Sequence, residues 1–399
     1  MIKTSISNLP KSWIIENVSK ITNNLDNRRI PLNQAQRSEK EGDGSYPYVG
    51  ANNIVGYIDE YIFDEKILCI AEDGGSWGYN EICAFIMNEK CWVNNHAHVL
   101  SAKSNLILEY LKYYLNYADL NLYINGATRG KLNQSALNKI KIPMPPLAEQ
   151  QKIAAILDAA DSLRQKDQQL VERYTALSQA LFLEMFGDPV TNPKGWDAQS
   201  LESITTKIGS GSTPRGGKEA YYDKGISLIR SLNIHDNKFL MKNLAFIDEK
   251  QAKELANVTV EANDVLLNIT GASVCRCAIV PKEVLPARVN QHVCILRCNS
   301  NHVNPYYLLH LIISTQFKQK LLNIAGANGA TREALTKSQS SELSIVTPPI
   351  ALQNQFAERI QLIEAQKQQA QLSLAKSEAL FNSLLQRAFT GELTAKMAA

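Results

Sequence analysis

The 399 residues include 45% hydrophobic and 20% charged side chains and carry a formal charge of +3. That is enough chain for two ordinary domains with real cores, but it lacks the strong basic excess of a typical DNA-binding domain. No run approaches the roughly 18 apolar residues of a membrane helix, and the N-terminal MIKTSISNLPKSW has no signal-peptide apolar stretch, so a cytoplasmic protein is expected.

In chain order, the first stretch holds short β-branched and aromatic runs such as KILCIAE and EICAFIM, separated by Gly, Asn, Pro and Asp, which predict strands and turns. Cys69, Cys83 and Cys91 alternate with strand-like residues there, and seven cysteines in all is an odd number, so reduced thiols are expected. A short helix is predicted near Tyr110–Tyr117. The Pro145-Pro146 pair then breaks the chain, because each proline restricts its own φ and the residue before it. From Glu149 to Phe186 the period changes. Apolar residues recur at Ile153, Ile156, Ala160, Leu163, Leu170, Tyr174, Leu177, Leu181 and Met185 in steps of three and four, interrupted at Asp167.

The same anatomy then returns. Strand-like runs DVLLNIT and CAIV precede a predicted helix near Tyr306–Ile313, a second break at Pro348-Pro349, and a second stripe of Phe356, Ile360, Ile363, Ala370, Leu374, Phe381, Leu384 and Ala388, interrupted at Lys367. The return is an internal duplication. An offset of 203 carries Thr128-Arg129 onto Thr331-Arg332, Pro145-Pro146 onto Pro348-Pro349 and Phe186 onto Phe389. VNNHAHVL (93–100) matches VNQHVCIL (289–296) at an offset of 196, and PKSW ending at Trp13 matches PKGW ending at Trp196 at 183. The drift marks insertions within the second globular part. Two related stripes of coiled-coil type, with no other long helix available, are expected to pack against each other.

GATRGKL…IKIPMPPLAEQQKI followed by a helix ending in LFLEMFGD resembles the type I restriction–modification specificity subunits, as do KIGSGSTPRGG (207–217), IRSLNI (229–234), DVLLNITGASVCRCAIVP and NQHVCIL. Cys275 departs from the pattern, which has Gly there. The resemblance implies an α+β fold of two tandem mixed α/β target recognition domains (1–147 and 189–349) separated by two long antiparallel coiled-coil helices (148–188 and 350–392), with a tail at 393–399. It also implies that each domain reads one half of a bipartite, asymmetric DNA target. The helices would set the spacer and dock two methyltransferase subunits, through which restriction/translocase subunits join. S-adenosylmethionine, ATP and Mg are then expected on those partners and not on this chain. A helix of 38 residues spans roughly 57 Å at ~1.5 Å per residue, which suits a ruler between half-sites.

Catalytic chemistry is not expected here. The Pro-Pro pairs read MPPL and TPPI, without the Asn/Asp-Pro-Pro-aromatic motif of an adenine methyltransferase. The glycine-rich 209–218 segment ends in Lys-Glu-Ala and lacks the Lys-Ser/Thr of a phosphate-binding loop. Cys275-x-Cys277 and His292-x-Cys294 have strand-like single gaps where structural zinc sites favour two to four residues, so buried cysteines are expected and no metal.

Base reading needs paired donors and acceptors, and phosphate anchoring needs Lys, Arg, Ser and Thr. Candidates in the first domain are Asn52, Asn53, Ser76, Asn94, Asn95, Arg129 and Lys131. The second domain offers Ser212, Thr213, Arg215, Lys218, Arg230, Asn233, Thr270, Arg288 and Arg332. Arg129 and Arg332 stand out because the duplication gives both the same context. Asn94 and Asn290 have an alternative role as turn-formers within the fold. The spacer and partner surface is assigned to Ile153, Ile156, Leu163, Leu170, Leu177, Leu181, Phe356, Ile360, Ile363, Leu374, Phe381 and Leu384. A coiled-coil scaffold without DNA reading is the competing function.

If the duplication is structural, a fragment of residues 1–188 should dimerise and rebuild the two-helix spacer, and its methyltransferase complex should modify a palindromic repeat of one half-site. Analytical ultracentrifugation at high concentration checks this, and a monomer there would contradict the pairing.

Overall fold

The computed structural model describes residues 9–126, 129–214, 217–326 and 334–395, and it divides into two compact units. Residues up to Gln168 together with those from Leu372 onward form the first unit, and Gln169–Gln371 form the second. Each unit therefore holds one globular repeat plus part of each of two 40-residue helices, Leu147–Phe186 and Ile350–Phe389.

In the first unit a four-stranded antiparallel sheet runs in the order Thr22–Asn24, Ala97–Ala102, Ile67–Ala71, Ala84–Met87. The Ile67–Ala71 strand is buried throughout, which explains its unbroken apolar reading. A second sheet places Tyr46–Val49 between Ile54–Ile58 and the parallel strand Trp92–Val93. In the second unit the equivalent four-stranded sheet is Thr205–Ser210, Val293–Cys298, Val265–Asn268, Cys277–Ile279. Its companion sheet pairs Ile226–Ile229 with Ala287–Val289 in parallel, as Tyr46–Val49 pairs with Trp92–Val93. The predicted short helices are Leu108–Tyr117 and Pro305–Ile313. The helix Thr315–Gly326 was not legible in the sequence pattern.

One glutamine ties each long helix to its globular repeat. Gln150, 1% exposed, accepts the Ile107 N–H at 3.0 Å and donates to the carbonyls of Asn105 (3.1 Å) and Pro145 (2.9 Å). Gln353, 0% exposed, repeats this with the Asn304 N–H (2.9 Å) and the His302 and Pro348 carbonyls (3.1 and 2.7 Å). The Tyr110 hydroxyl donates to the Pro143 carbonyl and the Tyr307 hydroxyl to the Val346 carbonyl, fixing each short helix to the strand before the Pro-Pro break.

The far end of the other long helix completes each core. In the first unit Phe389 lies 5.1–5.7 Å from the rings of Tyr110, Tyr114 and Tyr117, beside Ile153 and Leu157. In the second unit Phe186 lies 4.7 Å from Tyr307 and 5.2 Å from Phe356. The two helices run antiparallel within each unit. In the first unit Glu149 meets Thr394 and Asp167 meets Ser373, while in the second Ser178 meets Glu364 and Phe182 meets Phe356.

The helix–helix seam differs from the expected stripe. Leu163, Leu170 and Leu177 are 46%, 40% and 48% exposed and do not line it. The buried positions of that helix are Gln150, Ile153, Ala154, Leu157, Ala160, Asp167, Ser178, Phe182 and Phe186. Asp167, expected to interrupt the stripe, lies inside the seam, where its carboxylate accepts from the Ser373 hydroxyl at 3.1 Å. Anchoring by Ile153 and Leu157 at one end and Phe182 and Phe186 at the other sets the helix rotation, and that rotation turns the leucines outward. Of the remaining expected seam residues, Ile153, Phe356 and Ile360 are buried, and Ile156, Leu181, Ile363, Leu374, Phe381 and Leu384 are half-buried.

Cys275 adopts φ +67, the left-handed region that favours glycine, within the turn after Val265–Asn268. This accounts for the glycine of the family pattern at that position. None of the seven cysteines forms a disulfide, and burial pushes the thiols of Cys83 and Cys91 up to about 12 and that of Cys294 up to about 11.

A buried polar cluster supports the first unit's sheet. His98, with 1% of its side chain exposed, places Nδ1 2.6 Å from Asp26 and Nε2 2.7 Å from the Leu132 carbonyl. Arg29 bridges Glu72 (2.8 Å) and the Ala97 carbonyl (2.7 Å). Burial opposes ionisation of Asp26, but its hydrogen bond to His98 and the His98 charge, with bonds from Asn24 and the Val99 N–H, hold its carboxyl below the usual range.

Phe389→Ala and Phe186→Ala should each cost about 3–5 kcal/mol. Hydrogen exchange should show protection lost in Leu108–Tyr117 for the first and in Pro305–Ile313 for the second; loss in both helices from either change would contradict two separate cores. Because the Asp26 pKa is depressed on folding, its contribution is present above the unfolded carboxylate value, about 4, and is lost as pH falls through the folded value. Asp26→Asn should therefore lower stability at pH 7, with the gap to wild type closing below about pH 4 in pH-dependent denaturant melts.

Candidate nucleic-acid interface

The matched segments VNNHAHVL and VNQHVCIL build the same turn in both units. Asn94 is 7% and Asn290 4% exposed. Each side-chain oxygen accepts the N–H of the histidine two residues on, from His96 at 2.8 Å and from His292 at 3.0 Å. Their own N–H groups donate to Val49 and Ile229, at the ends of equivalent strands of the companion sheet. The His96 carbonyl accepts the Glu72 N–H, and the His292 carbonyl accepts the Ile269 N–H. Short Asn side chains bond readily to backbone two residues ahead, so the turn is local chemistry locked by tertiary bonds on both sides. Asn94 and Asn290 are thus turn-formers, and the residues between Asn and His, Asn95 and Gln291, are exposed at the tip.

Around this turn the two units diverge. In the first unit His96 Nδ1 lies 2.9 Å from Asp73, and the same carboxylate accepts from Arg129 at 2.9 Å. Lys131 pairs with Glu72 at 3.0 Å. Burial opposes ionisation of Glu72, yet its bonds to Arg29 and Lys131 hold it below the usual range. Gly74 sits at φ +65, and a Cβ there would lie 2.8 Å from the Arg129 guanidinium, so glycine permits this close approach. Asn52 donates to the Gly74 carbonyl at 3.2 Å, bringing a third expected residue to the same place. Asn53 and Ser76 are exposed. The turn opens on a cavity of about 450 Å³ lined by Gln34, Arg37, Tyr48, Asn94, Asn95 and His96.

In the second unit Thr270 replaces Asp73 and its hydroxyl contacts His292 Nδ1 at 2.5 Å. Isolated bridges Asp73–Lys131 and Thr270–Ala334 mark the same crossing in each unit. The Thr213 hydroxyl bonds the Gln291 side chain, whose nitrogen lies 3.2 Å from His292 Nε2. Gly211 lets this loop pass, since a Cβ there would lie 1.8 Å from the Val289 carbonyl. Ser212 is exposed. A cavity of about 630 Å³ is lined by Ser231, Leu232, Thr270, Ser273, Arg276 and His292.

Other candidates are spent on the fold. Asn233 is 0% exposed; it accepts the Arg230 N–H and donates to the Leu240 carbonyl, so it does not reach a ligand. Arg230 donates to the Asn243 carbonyl at 2.6 Å and lies over the Tyr221 ring. Arg288 binds the Ala252 and Ala287 carbonyls, and burial lowers its pKa. Arg215, Arg332 and the side chain of Lys218 lie outside the described residues. Gln291, His96, His292, Arg37 and Arg276 also lie at or beside these turns and were not among the expected residues. The matched Asn-x-His segment in the two copies was the available signal. Among the described residues no three His, Cys, Asp or Glu gather for a metal ion, and no helix is long and apolar enough to cross a membrane.

The family described as type I restriction modification DNA specificity domain matches twice, over residues 15–173 and 193–373. A Haemophilus influenzae chain assigned to the type I restriction enzyme specificity subunits is 35% identical over 146 residues, a stretch covering 37% of either chain. The EcoKI specificity subunit of Escherichia coli K12 is 23% identical over 98% of this chain and 91% of its own length. The crystal structure of the type I restriction–modification S subunit from M. genitalium shares the fold with a TM-score of 0.64 at 13% identity, over 94% of this chain and 96% of that one. Two family matches, each falling on one copy of the duplicated unit, place this chain in the type I restriction–modification DNA specificity subunit family.

Proposed function

We propose that the chain reads a split, asymmetric DNA target, one part per recognition domain (1–147 and 189–349), and delivers methyltransferase subunits docked on the spacer helices (148–188 and 350–392). The observation carrying this reading is the duplicated turn. Its backbone bonds are the same in both units while the facing side chains differ, as Asp73 against Thr270. Equal scaffolds with unequal side chains suit two different half-sites.

Lys131, Arg129 and Arg276 stand beside the turns as phosphate anchors, with Ser76, Ser212 and Thr213 as neutral partners. Pinning of Arg129 by Asp73 limits its conformers, so less entropy is lost on binding. The outward leucines supply apolar surface for the methyltransferase, Leu163 in the first unit and Leu170 and Leu177 in the second. Methylation, with its S-adenosylmethionine, belongs to that partner, and ATP and Mg to the restriction/translocase subunits. The chain itself is non-catalytic and works in the cytoplasm. Base flipping for adenine methylation falls to the methyltransferase.

Adenine-methylation mapping in cells expressing the cognate methyltransferase subunit, with and without this chain, tests the reading. Methylation should appear at one asymmetric, interrupted motif only when the chain is present. Unchanged methylation, with both proteins soluble and associated, would leave a coiled-coil scaffold as the function. In vitro, log affinity should fall linearly with log salt by about 0.9 per phosphate contact.

A further inference from the structure

We propose that Asn95 and Gln291 are the equivalent base-reading residues of the two domains, each placing its amide against an adenine edge in its own half-site. The inference rests on the reading above, that each unit recognises one part of a split target.

Four observations converge on these residues. First, the duplication and the structure agree on their equivalence. Both sit between a buried Asn and a half-buried His in turns with the same three backbone and side-chain bonds. Second, the tip is held from both sides. Asn94 and Asn290 donate to one sheet, and the histidine carbonyls accept from the strand end of the other, so the backbone of the tip is fixed while its side chain faces outward. A base reader needs such a fixed backbone, because sub-ångström placement separates a bidentate contact from none. Third, both tip residues are exposed amides, the side chains whose paired donor and acceptor match the adenine N7 and N6 positions in the major groove. Fourth, cationic side chains flank both turns, with Arg37 lining the cavity beside Asn95 and Arg276 the cavity beside the Gln291–His292 turn.

The two readers differ in reach and restraint. Gln291 is one methylene longer and is steadied by the Thr213 hydroxyl and the neighbouring His292 ring. The Gln291 oxygen keeps a second lone pair and its nitrogen a second N–H for the base. Asn95 is shorter and has no hydrogen bond of its own side chain among the described residues. Here the first unit instead steadies the adjacent His96 through Asp73. The turn thus separates scaffold from code, with the Asn keeping the shape and the next residue choosing the base.

The test uses the full chain assembled with its methyltransferase subunit, on duplex libraries with one half-site randomised and the other fixed. Asn95→Ala should lose about 5- to 150-fold of the preference for adenine at one position of one half-site. The other half-site and the salt slope should stay as in wild type. Gln291→Ala should give the mirror result. Asn95→Asp, nearly isosteric and acceptor-only, should move the preference at that position toward cytosine, and it supplies a folded variant should the alanine chain fail to assemble. Unchanged preference, equal weakening on every sequence, a change in the wrong half-site, or loss at a G·C position would each overturn the assignment. A wild-type complex that selects no split motif would overturn the proposed function instead.

Discussion

The structure depends on each unit closing its aromatic core with the end of a helix that begins in the other repeat. Phe389 fills the space against Tyr110, Tyr114 and Tyr117, and Phe186 fills the equivalent space against Tyr307 and Phe356. Without these rings, each short helix would expose several tyrosine or leucine faces at a cost of several kcal/mol. Neither repeat is therefore a complete domain on its own stretch of chain. A unit is one globular repeat, the start of its own long helix and the end of the other. Gln150 and Gln353 make this geometry specific. Their buried amides satisfy the N–H and carbonyl groups left by the chain turn at the Pro-Pro breaks, so the helix can leave in one direction only.

Anchoring the long helices at their ends has a consequence along their length. The seam between them contains small and polar residues such as Ala160, Asp167, Ser178 and Ser377, and Leu163, Leu170 and Leu177 are turned outward. A seam of this kind contributes less burial than a leucine zipper but has a defined register, because Asp167 is satisfied only opposite Ser373. The exposed leucines then remain available to partners instead of being consumed in the pairing.

Above this frame the duplicated sheets carry the same Asn turn with different neighbours. The first unit surrounds it with charge, using Asp73, Glu72, Arg29, Arg129 and Lys131, and buries His98 on Asp26 beneath it. The second unit uses hydroxyl and amide groups, Thr213, Thr270 and Gln291, with the thiol of Cys294 where the first has His98. The cations around the first turn are matched by carboxylates that hold them in place, so they add little to the net charge. Weak net charge is therefore compatible with a nucleic-acid surface whose basic groups are individually positioned.

Much of this organisation was legible in the residues. The duplication, the short helices before the Pro-Pro breaks, the buried strands and the two long helices all follow from local pattern. Hydrophobic period, proline stereochemistry and turn propensity each act over a few residues. Arg129, Asn52 and Asn95 were also reachable as candidates, because polar residues between strand signals fall in loops. Three matters were decided by the tertiary structure. The face of the first long helix that pairs is set by apolar anchors at its two ends, Ile153 and Leu157 at one and Phe182 and Phe186 at the other, so the heptad of Leu163, Leu170 and Leu177 looks like a seam and is not one. Asn233 and Asn95 are the same kind of side chain in the same kind of loop, yet one is sealed by the Leu240 carbonyl and the other faces outward. And Asp73, Arg129 and His96 become one cluster only when two strands and a crossing segment meet. Long-range packing decides burial, and burial decides whether a polar side chain serves the fold or a ligand.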